Sequence, residues 1–438
     1  MEMNFLIIGN GFDLAHGLQT GYVDFLRYCE CYNKNSPISS IVELNKEFDL
    51  FIENNMWLRY FLDVVADLKD SKTWIDFEKE IAEIIQSIES GDWQIKREHY
   101  INAPSETTLE PLSPVKSEKF LRFISNFSNL SKDNGKYTII ANDIADMDSF
   151  VKFIYLQLRS FTRAFELYCL KINQTVISEP IIISEHGMLI RKADAARISS
   201  WKRLRDAEKS NDDTATELKR LRSEDDDRYY HLMSNAHPID YLSMGKFSFV
   251  LSFNYTNTYE RLYGDDTTKY CYIHGKAQEN SACTNLILGI DDSLPNGDES
   301  SNFQCVRFKK YYQRILFKTG AEYKDWLAMG PSRLPSVNYV HIVGHSLDRT
   351  DHDVLYEFFS DSRFKIIVYY YNDQDFEEKI QNVIRLLAYK GGNGRDELIK
   401  RVHGKDWSIK FAYQYDVTNG LFKAPTAFTD EFLEVDAN

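Results

Sequence analysis

A chain of 438 residues, 43% apolar and 14% aromatic, has material for two or three packed domains and shows no collagenous or disordered bias. Its 66 acidic residues against 52 basic ones give a net charge of −14, which works against a nucleic-acid duplex or an anionic membrane as partner. Six cysteines (Cys29, Cys31, Cys169, Cys271, Cys283, Cys305) without one CxxC pair argue against a zinc ribbon and a disulfide scaffold. A reducing cytoplasm is the expected compartment.

The first element is "NFLII" at residues 4–8, a short, fully apolar run that reads as a buried parallel strand. It meets the turn Gly9-Asn10-Gly11 just ahead of helical spacing. Such a turn presents backbone N–H groups and the positive end of a helix dipole to an anion, so it is a candidate phosphate cradle. The dinucleotide fingerprint would place its third glycine at 14, where the chain has Leu14, which disfavours an ordinary Rossmann oxidoreductase.

From about residue 40 the apolar residues recur three and four apart, as in "FDLFIENNMWLRYFLDVVADL", "WIDFEKEIAEIIQSI" and "DSFVKFIYLQLRSFTRAFELYCLKI". The alternating charges of 191–222 suggest exposed helices, and Asp225 to Asp227 read as a solvated bend, not a metal cage. Residues 36–239 are thus expected to form one large, mainly helical insertion. In "WIDFEKEI" the residues Trp74, Ile75, Phe77 and Ile81 make an apolar face, and Glu78 either reaches a pocket or is exposed or capping. No run is long enough to span a bilayer.

Strand character returns at "FSFVLSFN" (247–254), "YCYIHG" (270–275), "NLILGI" (285–290), "YVHIVGH" (339–345) and "KIIVYYY" (365–371). Helical stretches alternate with several of these, such as "DFEEKIQNVIRLLAY", which follows a capping "YND" and stops at "GG". The expected fold class is therefore α/β: a Rossmann-like, doubly wound parallel sheet built from residues 1–35 and 240–420, with 421–438 as a tail.

Ligands of such sheets bind at the carboxyl ends of the strands, where four polar turns fall. The glycine turn is one. Asn254 ends "SFN" and either orients a ribose hydroxyl or a water, or caps the next helix. His274 ends "YIH" directly before Gly275, a suitable place for a general base. Gly344-His345-Ser346 ends another strand and could line the far end of a nucleotide.

The order and spacing of these turns resemble the nucleotide-binding motifs of sirtuin-like NAD-binding domains: Gly9-x-Gly11-x-Asp13-x-x-x-Gly17, Ser252-Phe253-Asn254-Tyr255, His274-Gly275 and Gly344-His345-Ser346-Leu347. Within that superfamily "IIGNGFDLAHGLQTGYVDFL" and "WIDFEKEI" resemble the AbiH family of bacterial phage abortive-infection proteins. The resemblance implies phage defence by a gated NAD hydrolase, with NAD as substrate and no metal. The alternative is a non-catalytic nucleotide-binding sensor, and a nuclease is disfavoured by charge. It implies catalytic roles for Asn254, His274 and Asp13, and nucleotide contacts from Gly9, Asn10, Gly11, Phe12, Asp13, Tyr255, Gly344, His345 and Ser346. A homo-oligomer or a phage trigger would supply the gate.

Two departures from the sirtuin-like pattern stand out. Asp13 occupies a position where such proteins usually carry Ser, and Thr256 one where an acidic residue is common. Without a CxxC pair, the four-cysteine zinc module of the deacylases is missing as well. Asp13 is the candidate carboxylate for an oxocarbenium-like state, or else a helix N-terminal Asp facing the dipole; His16, three residues on, is a structural histidine or a second group at the site.

Overall fold

The computed structural model describes residues 4–15, 18–33, 46–67, 76–90, 93–98, 106–112, 118–127, 130–133, 136–139, 144–175, 181–183, 189–191, 247–263, 266–279, 284–290, 303–329, 338–370, 372–403 and 407–413. Apart from Arg191, which ends a strand, the helices expected over 191–222 lie outside them, as do the Asp225–Asp227 bend, Trp74, Ile75, His16, Gly17 and the 421–438 tail.

Strand β1 (Asn4–Ile8) coincides with the apolar run that marks it in the sequence. Within the insertion β2 (Trp93–Glu98), β3 (Glu106–Pro111), β4 (Leu130–Asp133) and β5 (Lys136–Ile139) form an antiparallel sheet of order β2-β3-β5-β4, and β6 (Ile181–Ile183) pairs with β7 (Leu189–Arg191). These short strands stand among the helices of an insertion that the sequence marks as mainly helical. They are short and interleave charged residues with a few apolar anchors such as Trp93 and Leu109, so no sustained alternation marks them.

The remaining strands are β8 (Phe249–Ser252), β9 (Lys269–Tyr272), β10 (Asn338–Val343), β11 (Phe364–Tyr370) and β12 (Ile409–Tyr413). With β1 they form one sheet of order β12-β11-β10-β1-β8-β9, parallel at every pairing. Numbered along the chain, this is the 3-2-1-4-5-6 order of doubly wound folds, with its switch point between β1 and β10. The stretch "NLILGI" is no strand of this sheet. It runs as extended chain beside the end of β9, with the Ile287 N–H bonded to the His274 carbonyl at 2.8 Å.

Side chains alternate across β1: Phe5 and Ile7 enter the apolar layer on one face, Leu6 and Ile8 that on the other. Phe5 stacks on Phe249 at 4.7 Å and meets Phe358 and Phe364 edge-on. A third core is aromatic and belongs to the helices Met56–Asp67, Phe77–Glu89, Glu118–Ser125 and Met147–Thr175. Leu18 and Phe25 join it from the helix Tyr22–Asn33 and the turn before it, as do Leu286, Leu288 and Phe308 from beyond β9. The chain therefore laces this core to the sheet at several places. The helix Asp373–Leu387 is capped as expected: the Asn372 side chain accepts from the Asp375 N–H at 2.8 Å.

Candidate functional site

Strands β9, β8, β1 and β10 are neighbours, so all four turns singled out in the sequence lie along one edge of the sheet. At the switch point the turns after β1 and β10 touch backbone to backbone. Gly344 has φ +65°, and a Cβ there would stand 2.1 Å from the Phe12 nitrogen; one on Gly11 would stand 2.8 Å from Gly344 Cα. The Gly9 N–H donates to the Val343 carbonyl (3.1 Å), the Gly11 N–H to that of Gly344 (2.8 Å), and the Phe12 N–H to that of Gly9 (2.9 Å). Asn10 Oδ1 accepts from the Thr20 hydroxyl at 2.6 Å, and Phe12 is buried in the apolar layer. Ser346 is exposed, its Oγ accepting from the Asp348 N–H at 3.4 Å.

Asp13 is 1% exposed. Thr256 donates its hydroxyl to Asp13 Oδ2, and Thr258 donates to Thr256 at 3.0 Å. Burial raises the Asp13 carboxyl from 3.8 to about 6, against the lowering pull of Thr256, Thr258 and the nearby Asn254 and Arg261. Its other oxygen, Oδ1, has no partner, and neither does Asn254 Oδ1 or Nδ2, although Asn254 is only 4% exposed. An amide buried with both of its polar atoms idle is rare in a folded protein and calls for a specific reason.

Next to these groups is a network of buried charge. Asp351 Oδ1 lies 3.1 Å from His274 Nε2 and 3.0 Å from Lys310 Nζ; Lys310 Nζ also lies 2.8 Å from Glu78 Oε2 and donates to the Thr350 carbonyl at 3.1 Å. His345 Nε2 is 3.5 Å from Asp351 Oδ2. Although burial opposes ionisation, Lys310 and the two histidines hold the Asp351 carboxyl well below its ordinary value. Burial lowers His274, with Lys310 adding to the effect, and pushes His345 down to about 4, so both rings are neutral at neutral pH.

The tautomers follow from the partners. An ionised Asp351 only accepts, so His274 carries its proton on Nε2 and keeps the lone pair on Nδ1. His345 Nδ1 accepts from the Leu347 N–H at 2.9 Å, which puts its proton on Nε2, toward Asp351. Phe253 fixes both rings edge to face, at 5.5 Å from His274 and 4.3 Å from His345.

The insertion covers this site. Glu78 comes from the helix Phe77–Glu89, which Asp76 caps by accepting from the Lys79 N–H. It is buried and paired, where exposure or capping was the plainer expectation. Burial raises its carboxyl from 4.5 to about 7, which Lys310 opposes and Asp351 reinforces. Tyr22 stacks on Phe77 at 4.2 Å and its hydroxyl is 3.4 Å from that of Tyr255, which donates to the Ile287 carbonyl at 3.0 Å. The long helix Met147–Thr175 adds Arg159, which donates to the Leu286 carbonyl at 2.7 Å.

Asn254, His274, Asp13, Tyr255 and His345 are thus brought together, and Lys310, Asp351, Glu78 and Tyr22 join them. Lys310 and Asp351 carry no motif that marks them. Only the apolar company of Lys310 in "KYYQRILF" hints at an inward-facing lysine. Among the described residues no group of three or more His, Cys, Asp and Glu side chains is arranged to hold a metal ion, and no helix is long and apolar enough to cross a membrane.

The family model described as "Bacteriophage abortive infection AbiH" matches residues 5–373, which takes in β1, the insertion and the sheet as far as β11. No curated protein and no solved structure matches the chain.

Proposed function

The chain belongs to the AbiH family of bacteriophage abortive infection proteins, and on that premise we propose that its buried site hydrolyses NAD to nicotinamide and ADP-ribose as a gated anti-phage effector. The observation that carries this reading is the idle Asn254 amide beside the idle Asp13 Oδ1 at the carboxyl ends of β8 and β1. An amide offers a donor and an acceptor together, which suits vicinal ribose hydroxyls. A carboxylate next to it suits the positive charge that develops on the ribose as its bond to nicotinamide breaks.

In this reaction the C–N bond breaks with its electron pair leaving on nicotinamide, and water adds to the ribosyl carbon. His274 Nδ1, its lone pair free and its ring held by Asp351, is the base that accepts a proton from the ribose hydroxyl or the water. Glu78, poised near neutrality, can exchange a proton beside it. Asp13, Asn254 and His274 are all buried, so substrate enters only when the cover carried by Glu78 and Tyr22 parts from the sheet. That requirement provides a gate, which a lethal effector needs.

A second reading, a nucleotide-binding sensor without turnover, draws on the switch point between β1 and β10, where sheets of this order hold ligands; the Gly9, Gly11 and Phe12 amides there are bonded within the chain, so the turn is not the open phosphate cradle expected from the sequence. Nicotinamide release from NAD, followed by chromatography with purified wild type, Asn254→Ala and His274→Ala, separates the two. The hydrolase reading expects release by the wild type and loss in both folded variants. Retained NAD binding with no release, in buffer and in lysate of phage-infected cells alike, would leave the sensor.

A further inference from the structure

The helix Lys310–Phe317 serves two places. Lys310 faces the buried network, while Arg314, one turn on, lines a separate open cavity of about 520 Å³. That volume falls in the range of small-molecule sites. Arg314 is 11% exposed and donates Nη1 to Asp353 Oδ2; its Nε and Nη2 have no partner. A guanidinium is a planar fork of five donors that matches phosphate, and part of this one is unspent.

Three lysines stand around it, Lys318, Lys324 and Lys390. Lys324 pairs with Glu357, and Arg314 with Asp353 through Oδ2, while Asp353 Oδ1 is buried without a partner. Lys318 and Lys390 have no ion-pair partner among the described residues; Lys390 stands 5.0 Å over the Tyr356 ring. Four cations against two carboxylates leave two positive charges uncompensated in a chain of net charge −14. Tyr311, Tyr323 and Tyr389 supply aromatic wall beside them.

We propose that this cavity is a second ligand site, which takes the phosphate of a nucleoside phosphate on Arg314, Lys318 and Lys390 with its base against the tyrosines. The proposal does not depend on what His274 does. The cavity is nonetheless wired to it: Arg314 shares its helix with Lys310, and Asp353 follows Asp351 by two residues. A ligand here touches both segments that hold His274 in place.

Isothermal titration of the full chain with AMP, inorganic phosphate and adenosine tests it. AMP should bind, phosphate more weakly, and adenosine hardly at all. The double variant Lys318→Glu, Lys390→Glu, at two exposed positions that leave the fold intact, should weaken AMP by at least about tenfold. Asn254→Ala should leave AMP binding unchanged. Equal affinity for AMP and phosphate would keep the site and make free phosphate its occupant. The proposal is overturned if neither phosphate compound binds, if adenosine binds as well as AMP, if the double charge reversal has no effect, or if Asn254→Ala abolishes the binding.

Discussion

Thr256 donates its hydroxyl to Asp13, so the two positions at which the chain departs from the sirtuin-like pattern are in direct contact. Swapping them singly as Asp13→Ser or Thr256→Asp should each cost about 1–3 kcal/mol, since each leaves a buried partner unmatched. The double swap should cost less than the sum, and a thermodynamic cycle from urea unfolding would measure that coupling. Strict additivity would mean that the pair is incidental.

Lys310 is the cation shared by Glu78 and Asp351, two buried carboxyls. Lys310→Met leaves them facing each other without a counter-charge, and a loss of about 3–5 kcal/mol is expected in denaturant unfolding. A loss below about 1 kcal/mol would show that water, not Lys310, solvates Asp351.

The Glu78 carboxyl, raised by burial from 4.5 to about 7, binds its proton more tightly in the native than in the unfolded chain. Its contribution to stability is complete below about pH 4.5 and is lost as the pH rises through 7. Glu78→Gln cannot titrate, so the melting-temperature difference should move in the variant's favour between pH 4.5 and 7. His345, pushed down to about 4, has the opposite slope between 4 and 6.5, but it is common to both proteins and cancels. A pH-independent difference would place the Glu78 carboxyl at an ordinary value.

Asn254→Ala removes an amide that makes no well-formed hydrogen bond in the folded chain and only lowers the Asp13 carboxyl somewhat, so the melting temperature should change little. Nicotinamide release should nevertheless fall by about a hundredfold or more, on the scale of losing a buried group that grips the transition state. A large loss of stability instead would make Asn254 a structural residue.

Gly344→Ala forces a side chain into a left-handed backbone and against the Phe12 nitrogen. The expected penalty is about 2–4 kcal/mol, read as a lowered melting temperature. Ser346→Ala, on the exposed side of the same turn, should be neutral.

The sheet was legible because its central strands are buried on both faces and hence continuous apolar runs, as in "NFLII" and "KIIVYY". Asn254 and His274 were legible because strand ends are where such sheets keep polar groups. Glu78, Lys310 and Asp351 come from three distant segments, and an ion pair between them leaves no periodicity in any one. Lys310 follows Lys309 in "FKKYY" and has the look of a surface residue until the fold closes over it. The strands β2 to β5 escaped notice for a related reason: four to six residues with charges interspersed hold too little pattern to outweigh the helical spacing on either side.

β1 is an inner strand of the sheet, yet its partners come late: Phe5 lies beside Phe249 on one side and Val340 on the other. During synthesis it must wait on the order of tens of seconds before the first of them leaves the ribosome. With such long sequence separations the sheet closes late and slowly. Until the chain has passed β10, Asp13 and Asn254 have no His345 or Asp351 beside them. A nascent copy of this protein therefore carries Asp13 and Asn254 for most of its synthesis without the assembled site around them.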